Sequence, residues 1–132
     1  MGDIAESKFE ELCDRGFVRY GLNRPPIQMS ALPAQLRYTP DYLTSAGFVE
    51  VQGCGRDGTL KFKAEKLAAL SQWNGIHPVT LWMWDSHRKQ WASVGLEEMY
   101  QLIAEHGTLG AFKEGTPYWA VKATAIPNWS KT

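Results

Sequence analysis

Two acidic residues occupy facing positions in a segment that otherwise has the pattern of a β-hairpin. The stretch RYTPDYLTSAGFVEVQG predicts two strands, 37–43 and 48–53, on either side of the four-residue loop TSAG. In the antiparallel register that this loop sets, Asp41 faces Glu50. Directly opposed like charges destabilise a sheet, so the fold must contain something that offsets this repulsion.

Two explanations for the acidic pair remain open. One carboxyl could have a raised pKa and stay protonated, or a cation could lie between the two. A hard divalent ion such as Mg²⁺, held by carboxylates, water and substrate phosphate, suits a pair with no His or Cys nearby. Gln52 shares a strand face with Glu50, so a polar amide would flank that ion. Gly53 and Gly55 follow and would let a substrate approach the backbone closely.

Basic residues are densest just after the hairpin. Arg56, Lys61, Lys63 and Lys66 lie within eleven residues of one another. The pattern DGTLKFKAEKLAALSQW predicts a helix over 57–73, with its leucines on one face. The basic side chains could clamp phosphate oxygens, or they could simply form the solvated face of that helix.

The remaining patterns predict a single domain, 1–132, of mixed α and β structure. A chain of 132 residues can bury one core but is too short for two independent ones. Several prolines exclude regular pairing in the connection 23–35. Helices are predicted over 3–15 and 95–107, and further strands over 17–20, 78–84, 89–94 and 118–122. The expected fold class is α/β (mixed α+β), with one central mixed β-sheet flanked by helices.

Composition excludes several classes of protein. The formal net charge is zero, so any polyanion must be bound by a local patch rather than by the overall charge. Cys13 and Cys54 are expected to be reduced thiols, and the histidines lack the spacing of a zinc site. The charged N-terminus and the lack of a long apolar run predict a cytoplasmic protein that does not bind membranes.

The acidic hairpin resembles a known nuclease motif. Pro40-Asp41 followed by Glu50-Val51-Gln52 is similar to the PD-(D/E)xK signature, in which Asp and Glu bind Mg²⁺ and a Lys two residues after the Glu helps to activate water. The segments ESKFEELCDRG and RYTPDYLTSAGFVEVQG, with the helix that follows, resemble the phage endonuclease I family of Holliday-junction resolvases. The similarity spans about residues 6–70.

This resemblance implies a restriction-endonuclease-like core and a metal-dependent activity. Glu6, Asp41 and Glu50 would bind Mg²⁺, for which Mn²⁺ would substitute, and the carbonyl of Val51 would join the ligand set. The family further implies a domain-swapped homodimer bridged by residues 23–35. The implied substrate is branched DNA, in the host cytoplasm if a phage encodes the protein.

The sequence departs from the signature at one catalytic position. Gln52 stands where the signature has Lys, and an amide can orient water but cannot supply positive charge. Lys61, Lys63 and Lys66 are candidates for a displaced lysine, with Lys63 the first choice because leucines flank it on the core-facing side. Arg56 and these three lysines are the candidate DNA-binding residues.

The sequence therefore predicts an Mg²⁺-dependent DNA endonuclease, selective for branched DNA, with Glu6, Asp41, Glu50, Gln52 and Lys63 as its catalytic residues. An alternative from another class is a catalytically silent nucleic-acid-binding or assembly module that kept the nuclease fold after it lost the signature lysine. Binding of Mn²⁺ or Mg²⁺ would separate the two hypotheses.

Overall fold

The computed structural model of this protein describes residues 2–21 and 34–132. The described chain contains four α-helices and nine strands, with a short 3₁₀-helix at Ala123–Ala125. In chain order these elements are α1 (Gly2–Leu12), β1 (Phe17–Arg19), α2 (Ala34–Arg37), β2 (Tyr42–Thr44), β3 (Gly47–Gly53), β4 (Thr59–Lys63), α3 (Ala64–Asn74), β5 (Val79–Asp85), β6 (Gln90–Gly95), α4 (Leu96–His106), β7 (Thr108–Ala111), β8 (Pro117–Lys122) and β9 (Ser130–Lys131).

A six-stranded sheet forms the centre of the fold. Its strand order is β1-β2-β3-β5-β6-β9, and β3 and β5 are parallel whereas the other neighbours are antiparallel. Helix α1 packs on one face of this sheet, and α3 and α4 pack on the other. The predicted fold class, a mixed α/β protein with a central mixed sheet flanked by helices, is therefore confirmed.

The acidic hairpin has the predicted register. Tyr42 pairs with Val49 and Thr44 with Gly47, so the turn contains only two residues between the paired ends. Asp41 directly precedes the Tyr42–Val49 pair, so its register position is opposite Glu50. The predicted strand 37–43 begins too early, because Arg37 ends the short helix α2.

A second sheet corrects two predictions, the single sheet and the helix over 57–73. Residues 59–63 form β4, which pairs with β8 in a three-stranded sheet of order β4-β8-β7. The TLKFK segment alternates between buried Leu60 and Phe62 and outward lysines, which is the period of a strand. Helix α3 starts only at Ala64, so the predicted helix is correct only in its second half.

Alternation along β3 divides the core into two clusters. Val49 and Val51 pack with Phe9 of α1 and with tryptophans of β5. Phe48 packs on the opposite face with the large cluster that α3, α4 and β8 help to form. Glu50 has the same parity as Phe48, so its side chain points into the layer between the sheet and α3.

The remaining predicted elements agree with the structure to different degrees. The helix over 95–107 and the strands near 17–20, 78–84, 89–94 and 118–122 are confirmed to within one or two residues, whereas β7 and β9 were not predicted. The proposed bridge 23–35 lies outside the described residues except for its last two positions, in α2. In the part of the chain that the structure describes, no helix is both long and apolar enough to cross a membrane.

We predict that Gly47→Ala destabilises the hairpin that carries the acidic residues. Gly47 has a φ of +137°, and a Cβ atom there would overlap the carbonyl oxygen of Pro78, which accepts the Phe48 amide at 2.8 Å. Strain of this kind costs about 1–3 kcal/mol, measurable as a lower free energy of unfolding in urea. Gly16→Ala is the matched control, because a Cβ at Gly16 meets no atom within 4 Å. Equal stability of the two variants would contradict the prediction.

Candidate active site

Three segments that are distant along the chain bring charged side chains together beside β3. Asp41 directly precedes β2, Glu50 lies in the middle of β3 and Lys66 lies in the first turn of α3. The charge of Glu6, on α1, also contributes to the raised pKa of Glu50. The site therefore lies where the central sheet meets the N-terminal end of α3.

Glu50 and Lys66 form a short ion pair in a largely buried position. Lys66 Nζ lies 2.7 Å from Glu50 Oε2, and the side chains are 22% and 6% exposed respectively. Within the described residues, the second carboxylate oxygen, Oε1, is buried without a hydrogen-bond partner. One oxygen of a buried acid is thus neutralised by lysine while the other has an unused acceptor, which is costly unless a further ligand binds there.

The pKa values of the pair reflect this setting. Burial raises the pKa of Glu50, and the neighbouring Glu6 charge adds to that increase, while Lys66 opposes it. Burial alone would lower the pKa of Lys66, but the carboxylates of Glu50 and Asp41 together raise it. A lysine ammonium therefore supplies the positive charge that the acidic hairpin requires.

Asp41 is oriented by the backbone of the facing strand. Its Oδ2 accepts a hydrogen bond from the Val51 amide at 2.9 Å, next to Glu50. This bond fixes one carboxylate oxygen and directs the side chain along β3. The bond also places the Asp41 charge beside Lys66, whose pKa it raises.

A second acidic residue of α1, not predicted from the sequence, anchors the helix to the hairpin. Glu10 Oε2 accepts a hydrogen bond from the Tyr42 hydroxyl at 2.6 Å and forms an ion pair with Arg19 at 2.7 Å. Burial, with the Glu10 carboxylate, raises the pKa of Tyr42. Glu6 lies four residues before Glu10, so the same helix face carries both acids towards the site. The i,i+4 spacing of Glu6 and Glu10 is the sequence signal for this contact.

The remaining predicted residues lie at varying distances from the ion pair. Gln52 donates from Nε2 to the carbonyl of its neighbour Gly53 at 3.3 Å. Arg56 is exposed in the loop after β3, and Lys61 and Lys63 project from β4. Among the described residues no ion pair links Lys63 to a carboxylate, so the structure brings Lys66 rather than the first choice, Lys63, to Glu50.

The donor chemistry fits a hard divalent cation, although the side chains do not form a complete ligand cage. Across residues 2–21 and 34–132, no group of three or more His, Cys, Asp or Glu side chains is arranged to hold a metal. Glu50 Oε1 and the carboxylate of Asp41 are oxygen donors of the kind that Mg²⁺ prefers. The Lys66 contact occupies the other Glu50 oxygen, so a cation would have to share that carboxylate with the lysine.

Comparisons with known proteins identify the fold. No protein-family model and no curated protein matches this chain. The solved structure of Hjc from Archaeoglobus fulgidus, a Holliday junction resolvase from an archaeal hyperthermophile, is similar with a TM-score of 0.56 and 15% identity, over 98% of this chain and 90% of that chain. D212, a nuclease from a fusselovirus, is similar with a TM-score of 0.54 and 8% identity, over 95% of this chain and 79% of that chain. At these identities the likeness shows a shared fold.

We predict that Lys66→Met costs about 3–5 kcal/mol of unfolding free energy in EDTA, because it leaves the Glu50 carboxylate buried and unpaired. The double variant Glu50→Gln, Lys66→Met should recover most of this loss, since it removes the buried charge as well. Denaturant unfolding of the wild type, both single variants and the double variant measures the coupling energy.

The control for this cycle is Glu11→Gln, which breaks the exposed ion pair with Lys8. It should change the unfolding free energy by no more than about 1 kcal/mol. A double variant whose loss equals the sum of the two single losses would contradict the proposed coupling of Glu50 and Lys66.

Proposed function

We propose that this protein is a metal-dependent nuclease that hydrolyses phosphodiester bonds of DNA. The observation that carries the proposal is the buried Glu50–Lys66 pair next to Asp41. Two proteins with the same fold are described as a Holliday junction resolvase and a nuclease. The shared fold supports the general activity, and the charged cluster supplies groups that could perform it.

Asp41 and Glu50 are the proposed metal ligands, with Glu6 and the carbonyl of Val51 completing the set. Glu50 contributes Oε1, the buried oxygen that lacks a hydrogen-bond partner among the described residues. Bound Mg²⁺ or Mn²⁺ would lower the pKa of a coordinated water and stabilise the leaving oxygen. The hydrogen bond from the Val51 amide holds the Asp41 carboxylate in place before any metal binds.

Lys66 is proposed to replace the signature lysine, whose position is occupied by Gln52. The Lys66 ammonium contacts Glu50, the glutamate that lies two residues before the position of the signature lysine. Lys66 remains charged because the surrounding carboxylates raise its pKa. From this position it can stabilise negative charge that develops on the phosphate. Gln52, on the same strand face as Glu50, is left to orient water through its amide.

Branched DNA is the proposed substrate, and a homodimer is the proposed active form. A four-way junction presents two equivalent strands for cleavage, which a pair of symmetric sites could address together. The similarity to the archaeal resolvase extends over nearly the whole of both chains, which supports this choice over a simple nicking activity.

A catalytically silent DNA-binding module is the second candidate, and two observations favour it. Lys66 already neutralises Glu50, and the described side chains form no ready group of three metal-binding residues. Such a module would have no need of a divalent ion. Calorimetric titration with Mn²⁺ separates the candidates, because the proposed nuclease must bind the ion through Asp41 and Glu50.

We predict that Asp41→Asn abolishes Mg²⁺-dependent cleavage of a labelled four-way junction while the protein stays folded. Asparagine retains an oxygen that can accept the Val51 amide but lacks the charge needed to bind the metal. Glu97→Gln, on the exposed surface of α4, is the control and should cleave like the wild type. Undiminished cleavage by a folded Asp41→Asn protein would refute the proposed site.

We also predict that Lys66→Gln lowers the rate of cleavage by about 10²–10³-fold, because it removes a cation from the reacting phosphate. Adding Gln52→Lys should restore a large part of that loss, since it returns the charge to the position of the signature. The cleavage rate of the double variant relative to Lys66→Gln measures this rescue. If Lys66→Gln cleaves at the wild-type rate, or if Gln52→Lys gives no rescue in a folded protein, the role assigned to Lys66 is wrong.

A further inference from the structure

The outward face of the second sheet carries a run of lysines without an acidic residue. Strand β4 places its alternate residues Thr59, Lys61 and Lys63 on this face, because Leu60 and Phe62 between them are buried in the core. In the paired strands, the residues opposite these positions share the face. These are Lys122, Ala120 and Tyr118 of β8, and Thr108 and Gly110 of β7.

These eight positions include three lysines and no aspartate or glutamate, so the face has a single sign of charge although the chain as a whole is neutral. Lys122 donates to the Thr59 hydroxyl at 3.2 Å across the strand pair. The described residues show no ion pair between these lysines and any carboxylate. An array of ammonium groups without carboxylate partners is suited to a polyanion with regularly spaced charges.

The aromatic residue on this face is already engaged by its neighbours. The Tyr118 ring lies over Gly110, where a Cβ atom would come within 2.6 Å of its Cζ. Phe112 contacts the same ring with a centroid distance of 4.6 Å, and Lys61 Nζ lies 5.2 Å from the ring centroid. A ring held in this way positions Lys61 but does not offer a free platform for an unstacked base. The face therefore favours a DNA duplex, whose bases stay stacked, over a single strand.

The basic face leads directly towards the candidate active site. Lys63 is the last residue of β4, and Lys66, which pairs with Glu50, follows three residues later in α3. Since consecutive Cα atoms are about 3.8 Å apart, the two Cα atoms can be no more than about 11 Å from each other. That span corresponds to about three nucleotides of one strand of B-form DNA.

We propose that the outward face of the β4-β8-β7 sheet binds the phosphate backbone of a double-helical DNA arm, through Lys61, Lys63 and Lys122, and guides it to the candidate active site. This inference rests on the proposed function for the identity of the ligand. The contact is independent of base sequence, because lysine ammonium groups on the surface of a sheet meet phosphates rather than base edges.

The test is the salt dependence of DNA binding without catalysis. Fluorescence anisotropy of a labelled linear duplex, titrated in EDTA at several NaCl concentrations, gives the slope of log K against log [NaCl] for the wild type and for Lys61→Gln, Lys63→Gln. The double variant should show a slope smaller in magnitude by about 2 and an affinity lower by about tenfold at moderate salt. The matched control is Lys89→Gln, Lys131→Gln, which removes two exposed lysines next to β6 and in β9, outside the eight positions of the basic face, and should retain the wild-type slope.

Several outcomes would overturn the inference. A wild-type slope in the Lys61→Gln, Lys63→Gln protein, or an equal decrease in the control, shows that the face does not contact phosphate. Tighter binding of single-stranded DNA that is lost in Tyr118→Leu shows base stacking instead of a duplex arm. By contrast, a wild-type protein that binds duplex through these lysines but cleaves no DNA with Mg²⁺ or Mn²⁺ refutes the proposed hydrolysis and supports this inference.

Discussion

The buried contact between Glu50 and Lys66 is the interaction on which the arrangement of this protein depends. It joins the middle strand of the central sheet to the first turn of α3, at 2.7 Å and largely out of solvent. Removing two charges from water carries a large desolvation free energy, and the attraction between the charges seldom exceeds it. A buried ion pair with one unused carboxylate oxygen is therefore better understood as part of a binding site than as a source of stability.

The acidic hairpin was predictable because its information is local. The register is set by the short turn between Tyr42–Thr44 and Gly47–Gly53 and by the alternation of side chains along these two strands. The facing positions of Asp41 and Glu50 follow from this register. The predicted repulsion is also resolved in physical terms. A cation does lie beside Glu50, but it is a lysine of the chain itself, and the pKa of Glu50 is raised at the same time.

The segment after the hairpin was not predictable, because its partner is distant in sequence. Leu60, Leu67 and Leu70 fit one face of a helix, but β8, about sixty residues later, pairs with residues 59–63 and makes them a strand. This change moves the start of α3 to Ala64, so that Lys66 stands one turn before the fully buried Leu70 and faces the sheet. In one continuous helix Lys63 would lie between leucines on the core-facing side, which is why the sequence favours it. The position of Lys66 depends on where the strand ends.

The two sheets have different roles in the proposed nuclease. The central sheet holds the acidic residues, the second sheet presents Lys61 and Lys63 to solvent, and α3 connects the two with Lys66 in its first turn. Anomalous diffraction from crystals soaked in Mn²⁺ tests the central claim most directly. We expect a peak within bonding distance of the Glu50 and Asp41 carboxylates, with Lys66 retained beside Glu50. A fully occupied Glu50–Lys66 pair without any peak near these oxygens would contradict that claim.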